Sequence, residues 1–217
     1  MLTRLLLRAA YAWVTTRRIR LCHVMLTTHT AAVEELLLES DMQCLNSLES
    51  LIGSSSRRLA MHKAMPLTLQ PLGDFAQTEQ LALLTAVGHN SLDSCALREI
   101  ISVEELLSGF YQQDPQAPQH WYAVYYHKMI VGVLLLAPRP ALNRWELMLM
   151  GLTPEWRRKG LGRSLLNKAL ELAHQAGVQD VMLTVDNANL PAKRLYKQAG
   201  FMCSTQQRLF AWQGNAD

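Results

Sequence analysis

Between Met1 and Val33 there is not one aspartate or glutamate. Proline is missing before Pro66, and of the 11 glycines only Gly53 precedes it. These absences set the first third of the chain apart. A stretch without acids that carries Arg4, Arg8, Arg17, Arg18 and Arg20 has the composition of an organelle-import leader, or of a helix lying on a membrane surface. No apolar run reaches about 18 residues, which argues against a membrane-spanning helix; the longest candidate, residues 5–14, is short and broken by Arg8. Cys22, Cys44, Cys95 and Cys203 are scattered, with neither metal-ligand spacing nor a disulfide-dense pattern. No metal is expected, and free thiols in the cytoplasm are the simplest reading. A concentrated positive face is lacking too. Residues 1–64 hold 8 Lys/Arg against 5 Asp/Glu, while residues 65–217 hold 13 of each, so the whole net charge of +3 sits before Met65. The neutral remainder has no counterpart to a phosphate backbone, and no nucleic-acid partner is expected.

At 217 residues and 49% hydrophobic composition, the chain is long enough for one domain with its own core. The composition break divides it at residue 64. Apolar spacing over residues 30–51 supports a helix, and Gly53-Ser54-Ser55-Ser56-Arg57-Arg58 reads as a linker. Residues 1–64 are therefore expected to be a helical or disordered extension, separable from a functional domain over residues 65–217. Met25, Met42, Met61 and Met65 are alternative starts.

In the second segment, alternation over residues 66–72 predicts a strand. Asp74 is placed to cap a helix reaching Val87, and Ser102 with Glu105 forms a capping box for a helix over 102–111. A loop follows over 114–118. Residues 121–126 and 129–137 predict a hairpin turning at His127-Lys128, and 145–152 predict a further strand. Then come a helix over 161–176, a buried-type strand over 181–185, a helix over 189–199, and two short strands between Phe201 and Trp212. This order predicts an α+β (mixed α/β) fold with one sheet.

The chemistry concentrates in Leu152-Thr153-Pro154-Glu155-Trp156-Arg157-Arg158-Lys159-Gly160-Leu161-Gly162-Arg163, between a strand and a helix. The first N–H groups of a helix lack internal partners and sit at its positive end, so such a terminus binds phosphate. Arg157, Arg158, Lys159 and Arg163 add cations, and the glycines let a ligand approach. A diphosphate-like anion is the expected ligand. Neither the nucleoside-triphosphate loop nor the dinucleotide fingerprint is present, since Gly162 is followed by Arg163, Ser164 and Leu165.

Arg157-x-x-Gly160-x-Gly162, with Pro154 upstream, resembles the acetyl-CoA pyrophosphate loop of the GNAT superfamily of N-acetyltransferases. Residues 187–201, with Asn189 before a helix, Tyr196 seven residues later and Gly200-Phe201 closing it, resemble that family's next motif. The resemblance spans residues 65–212. It implies a central, mostly antiparallel sheet with a splayed strand pair, flanked by helices. It also implies acetyl-CoA as co-substrate and acetyl transfer to a primary amine in a ternary complex. By the same resemblance Met150, Gly151 and Leu152 would bond the pantetheine arm, and the amides from Arg158 through Arg163, Lys159, Gly160, Leu161 and Gly162 among them, would hold the pyrophosphate. Asn189 would touch the arm, and Tyr196 would protonate the leaving thiolate. A homodimer is compatible with it. Branch members that acetylate ribosomal-protein N-termini carry a glutamate where this chain has Thr184, which argues against that activity.

An amine with a pKa near 10 is mostly protonated at neutral pH and must lose a proton to attack. Glu146 is the candidate base: strand alternation places it on the face of Met148, Met150 and Leu152, and its spacing resembles the base of the histone-acetylating branch. His120 and His127 are weaker candidates. The acceptor, a small molecule or a protein amine, is expected to be chosen by residues 73–118. An acyl-CoA-binding module without turnover is the alternative.

Overall fold

The computed structural model describes residues 2–27, 31–61, 65–93, 95–113 and 116–214. Its elements are α1 (Leu2–Thr16), β1 (Leu21–Leu26), α2 (Ala31–Leu38), β2 (Gln43–Ser54), β3 (Thr68–Pro71), α3 (Gln77–Gly88), α4 (Cys95–Arg98), α5 (Val103–Gln113), β4 (Trp121–Tyr126), β5 (Met129–Arg139), β6 (Arg144–Leu152), α6 (Leu161–Gln175), β7 (Asp180–Asp186), α7 (Leu190–Gln198) and β8 (Met202–Gln213). All eight strands join one sheet in the order β1-β8-β2-β7-β6-β5-β4-β3. Every pairing is antiparallel except β6 with β7. The expected mostly antiparallel α+β architecture is what the chain forms.

Local chemistry explains most of the elements. His127 and Lys128 both take positive φ (48° and 65°), the backbone twist that a two-residue hairpin needs. Ser102 and Glu105 exchange their capping-box bonds at the start of α5. Helix α6 buries Leu161, Leu165, Leu166, Ala169, Leu170 and Ala173, spaced three and four apart, on one face of the sheet. On the other face Leu84, Val87 and Leu107 of α3 and α5 cover Val133, Leu135 and Ala137.

Four expectations are corrected. Asp74 lies in a single 3-10 turn, and α3 begins after Ala76, whose N–H is held by Glu79 (2.8 Å). The final two strands are one, β8; an extra residue, Ser204, opposite the Ser50–Leu51 step breaks its alternation. The helix expected over 30–51 stops at Leu38. The residues read as a linker begin as strand, since Gly53 and Ser54 end β2, and the Phe201 ring packs where a Gly53 side chain would stand. In β2 the buried positions fall at Asn46 and Leu48 and then at Leu51 and Gly53. The covered face changes midway, so no single period marks the strand. Residues 28–30, 62–64 and the first two of the expected 114–118 loop lie outside the described residues.

The segment before residue 65 thus contributes β1 and β2 to the sheet, with β2 between β7 and β8. A third apolar cluster, Val14, Leu37, Met42, Phe210 and Trp212, packs α1 and α2 against β8. Trp212 is 3% exposed, donates its indole N–H to the Ser40 carbonyl (2.6 Å) and meets the Tyr11 ring at 5.3 Å. Trp212→Ala is expected to cost about 3–5 kcal/mol of stability, measured by urea denaturation. Among the described residues no helix is long and apolar enough to cross a membrane.

Candidate functional site

Strands β6 and β7 pair from Arg144↔Asp180 to Leu147↔Leu183 and then part, although β6 continues to Leu152 and β7 to Asp186. A cleft of about 450 Å³ opens between them. Backbone groups of β6 beyond Leu147 have no β7 partner there, which leaves them available to an extended ligand. Met150, Gly151 and Leu152 line this cleft.

At the end of β6 the chain makes one 3-10 turn (Pro154–Trp156) and enters the loop. Arg158 has φ +60° and Gly160 φ +87°. Gly160 is the N-cap of α6, a conformation that costs a residue with a Cβ about 1–2 kcal/mol. Among the described residues no acceptor meets the backbone N–H groups of residues 158–162. They form a row of donors at the positive end of a 15-residue helix, which suits a diphosphate.

The expected cations divide by task. Arg158 lines the cleft. Arg157 spends its guanidinium on carbonyls: Leu152 (2.9 Å), Asn90 (2.9 Å) and Val87 (2.8 Å). It braces the loop after α3 against the end of β6, so its part at the cleft is to hold the wall. Lys159 lies over the Trp156 ring (4.9 Å), and Arg163 bonds Gln198. Leu161 is a core residue, 1% exposed. Asn189 and Gly162 line the cleft, and Asn189 Oδ1 also accepts from the Ala192 N–H (3.3 Å), capping α7.

Helix α7 sets Tyr196 into the cleft wall at 7% exposure, its ring 5.6 Å from that of Phe201. Its hydroxyl has no hydrogen-bond partner among the described residues. Burial first, and the Asp93 charge second, hold the phenol well above its usual range, so it keeps its proton through neutral and mildly alkaline pH.

Glu146 lies elsewhere. Leu135 faces Leu149 and Leu136 faces Leu147, so Met148 is an extra residue in β6. The bulge puts Met148 and Leu149 against the α3–α5 cluster, while Leu147, Met150 and Leu152 face α6. Simple alternation therefore fails, and Glu146 shares no face with Met150 and Leu152. It is not among the cleft-lining residues, and Arg139 Nε holds its Oε2 at 2.8 Å. The His120 ring lies tilted against Trp145 (4.4 Å) and His127 sits in the hairpin turn beside Tyr126 (4.1 Å); neither lines the cleft. The carboxylate that does line it is Asp93, in the loop after α3, which no sequence motif marks.

The model of the Acetyltransferase (GNAT) family matches residues 90–201, just over half of the chain. A mycothiol acetyltransferase of Thermobispora bispora is 45% identical over 56 residues, 26% of this chain and 19% of that protein. N-acetyltransferase family 8 member 3 of Rattus norvegicus is 33% identical over 76 residues, 33% of each. The matches thus span a third or less of these curated relatives. A crystal structure of a GCN5-related N-acetyltransferase from Sphaerobacter thermophilus has the same fold, with a TM-score of 0.68 at 18% identity, covering 98% of this chain and 68% of that one. With the splayed strands, the donor loop and the matched family model together, this chain belongs to the GNAT family of acetyltransferases.

Proposed function

We propose that the protein transfers an acetyl group from acetyl-CoA to a primary amine by direct attack within a ternary complex. The observation that carries this reading is the single cleft that runs from a row of unpaired loop amides, past unpaired β6 backbone, to a buried tyrosine. The loop N–H groups and Arg158 receive the pyrophosphate, and the parted edge of β6 receives the pantetheine arm. Backbone N–H groups along that edge polarise the thioester carbonyl. The amine nitrogen attacks the carbonyl carbon, the C–N bond forms and the C–S bond breaks. The departing thiolate takes the Tyr196 proton. The phenol suits this step because it is still protonated when the thiolate leaves. The relatives named as acetyltransferases support acetyl transfer.

Thiol release from acetyl-CoA in the presence of a primary-amine panel tests the reading. Tyr196→Phe is expected to lower kcat by about a hundredfold or more while the acetyl-CoA Kd stays near wild type. A wild-type protein that binds acetyl-CoA and releases no thiol with any amine would instead be a binding module.

A further inference from the structure

The loop that Arg157 braces carries a carboxylate with no part in the mechanism above. Asp93 lines the cleft beside the end of β7, beyond the point where β6 and β7 part. Its Oδ1 accepts from the Asp186 N–H at the end of β7 (3.3 Å), its own N–H is held by Ser91 Oγ (3.2 Å), and its carbonyl by Arg98 Nε (3.0 Å). The loop and α4 therefore hold the backbone of Asp93, and β7 holds its side chain. Oδ2 has no hydrogen-bond partner among the described residues.

Opposite stands Tyr196, more than nine-tenths buried, with a hydroxyl that also lacks a partner among the described residues and close enough to feel the Asp93 charge. One unfilled acceptor and one unfilled donor thus share a cleft end. Both groups line the same cleft, so a ligand that both donates and accepts can meet the two of them at once. A second carboxylate, Asp186, is 6% exposed and accepts from the Ala188 N–H (2.8 Å). Arg98 is the cation facing Asp93 from α4, and β6 offers only apolar side chains. Leu92, Leu147 and Leu149 complete the wall. Burial raises the Asp93 carboxyl above its usual range. The Asp186 charge adds to this, and the Asp186 N–H and Arg98 only partly oppose it. A carboxylate so placed gains most from a cation brought into the cleft, and its raised affinity for a proton makes it a better base.

We propose that Asp93 binds the ammonium of the acceptor and takes its proton, so that this end of the cleft is a site for a cationic primary amine on a largely apolar body. The inference rests on the acetyl-transfer reading above and deepens it. Two protons leave the nitrogen. The first passes to Asp93 and from there to solvent. The second, released as the C–N bond forms and the C–S bond breaks, replaces the proton that Tyr196 gives to the thiolate. The charge of Asp93 thereby serves twice, first as counter-ion and then as base.

Two probes of similar size separate these roles from mere support. Benzylamine is an ammonium at pH 7; 4-methylaniline is already neutral. Asp93→Asn keeps an acceptor for the Asp186 N–H and removes the charge. For benzylamine, kcat/KM at pH 7 is expected to fall about a hundredfold. The deficit should shrink as pH rises toward the pKa of the amine, where free base supplies itself. For 4-methylaniline the variant should stay within a few-fold of wild type, and the acetyl-CoA Kd should be unchanged, which also reports that the variant is folded. Equal losses with both probes, or an unaffected benzylamine rate while acetyl-CoA still binds, would overturn the assignment. A wild-type protein that fails to bind acetyl-CoA would overturn the acetyl-transfer reading itself.

Discussion

A chain shortened to begin at Met65 is expected to lose its folded state. The cut takes β1 and β2 together and leaves β8 without either of its strand neighbours. It also strips the β7 edge that pairs with Leu48 through Ser54. Leu48, Leu51 and Leu59 are buried, and each buried leucine contributes about 1.5–3 kcal/mol. Their sum alone approaches the 5–15 kcal/mol, roughly, that holds a domain together. Specific ties are lost besides: Asn167 exchanges bonds with the backbone of Leu59 (2.7 and 3.0 Å), and Lys193 pairs with Glu49 (2.9 Å) at the α7 that carries Tyr196. Phe210 and Trp212 would be uncovered. Near-ultraviolet circular dichroism and acetyl-CoA binding check the expectation. A soluble 65–217 fragment with native spectra and wild-type affinity would show that β7 and β8 can close on each other without β2.

Gly160→Glu is expected to weaken acetyl-CoA binding by more than a hundredfold, as read by calorimetry. Two penalties act in the same direction. Gly160 has φ +87°, where a side chain is strained by about 1–2 kcal/mol. A carboxylate would also stand beside the unpaired N–H groups of residues 158–162, where it repels a diphosphate and competes for its donors. Gly160→Ala isolates the first penalty and should cost roughly tenfold. An intact affinity in the glutamate variant would mean that the pyrophosphate lies elsewhere.

Much of this molecule is legible from local signals. The α6 stripe, the His127-Lys128 turn, the α5 capping box and the two motifs around Gly160 and Tyr196 all follow from residues close in sequence. What was hidden depends on contacts between distant residues. β2 reads as helix and linker because neighbours on opposite faces of the sheet cover its two halves, which leaves no constant period. Alternation places Glu146 on the face of Met150 and Leu152, and a single extra residue at Met148 reverses that inference. Arg157 belongs to an anion-binding motif by spacing, yet the carbonyls of Val87 and Asn90, brought close by α3, claim its guanidinium. Asp93 carries no motif at all. Its position depends on Asp186, 93 residues away in the chain.

The place of β2 also sets an order on folding. Gln43 faces Ala211 in the finished sheet, and Ser54 faces Asp180. On a ribosome β2 is made early, but both of its partners emerge only after nearly the whole chain has been synthesised. Until then its backbone donors and acceptors have no ladder to join. Contacts this far apart in sequence slow folding and leave exposed strand edges in the interim. The cleft, whose β7 wall is steadied by β2, is therefore among the last parts of this protein that can become native.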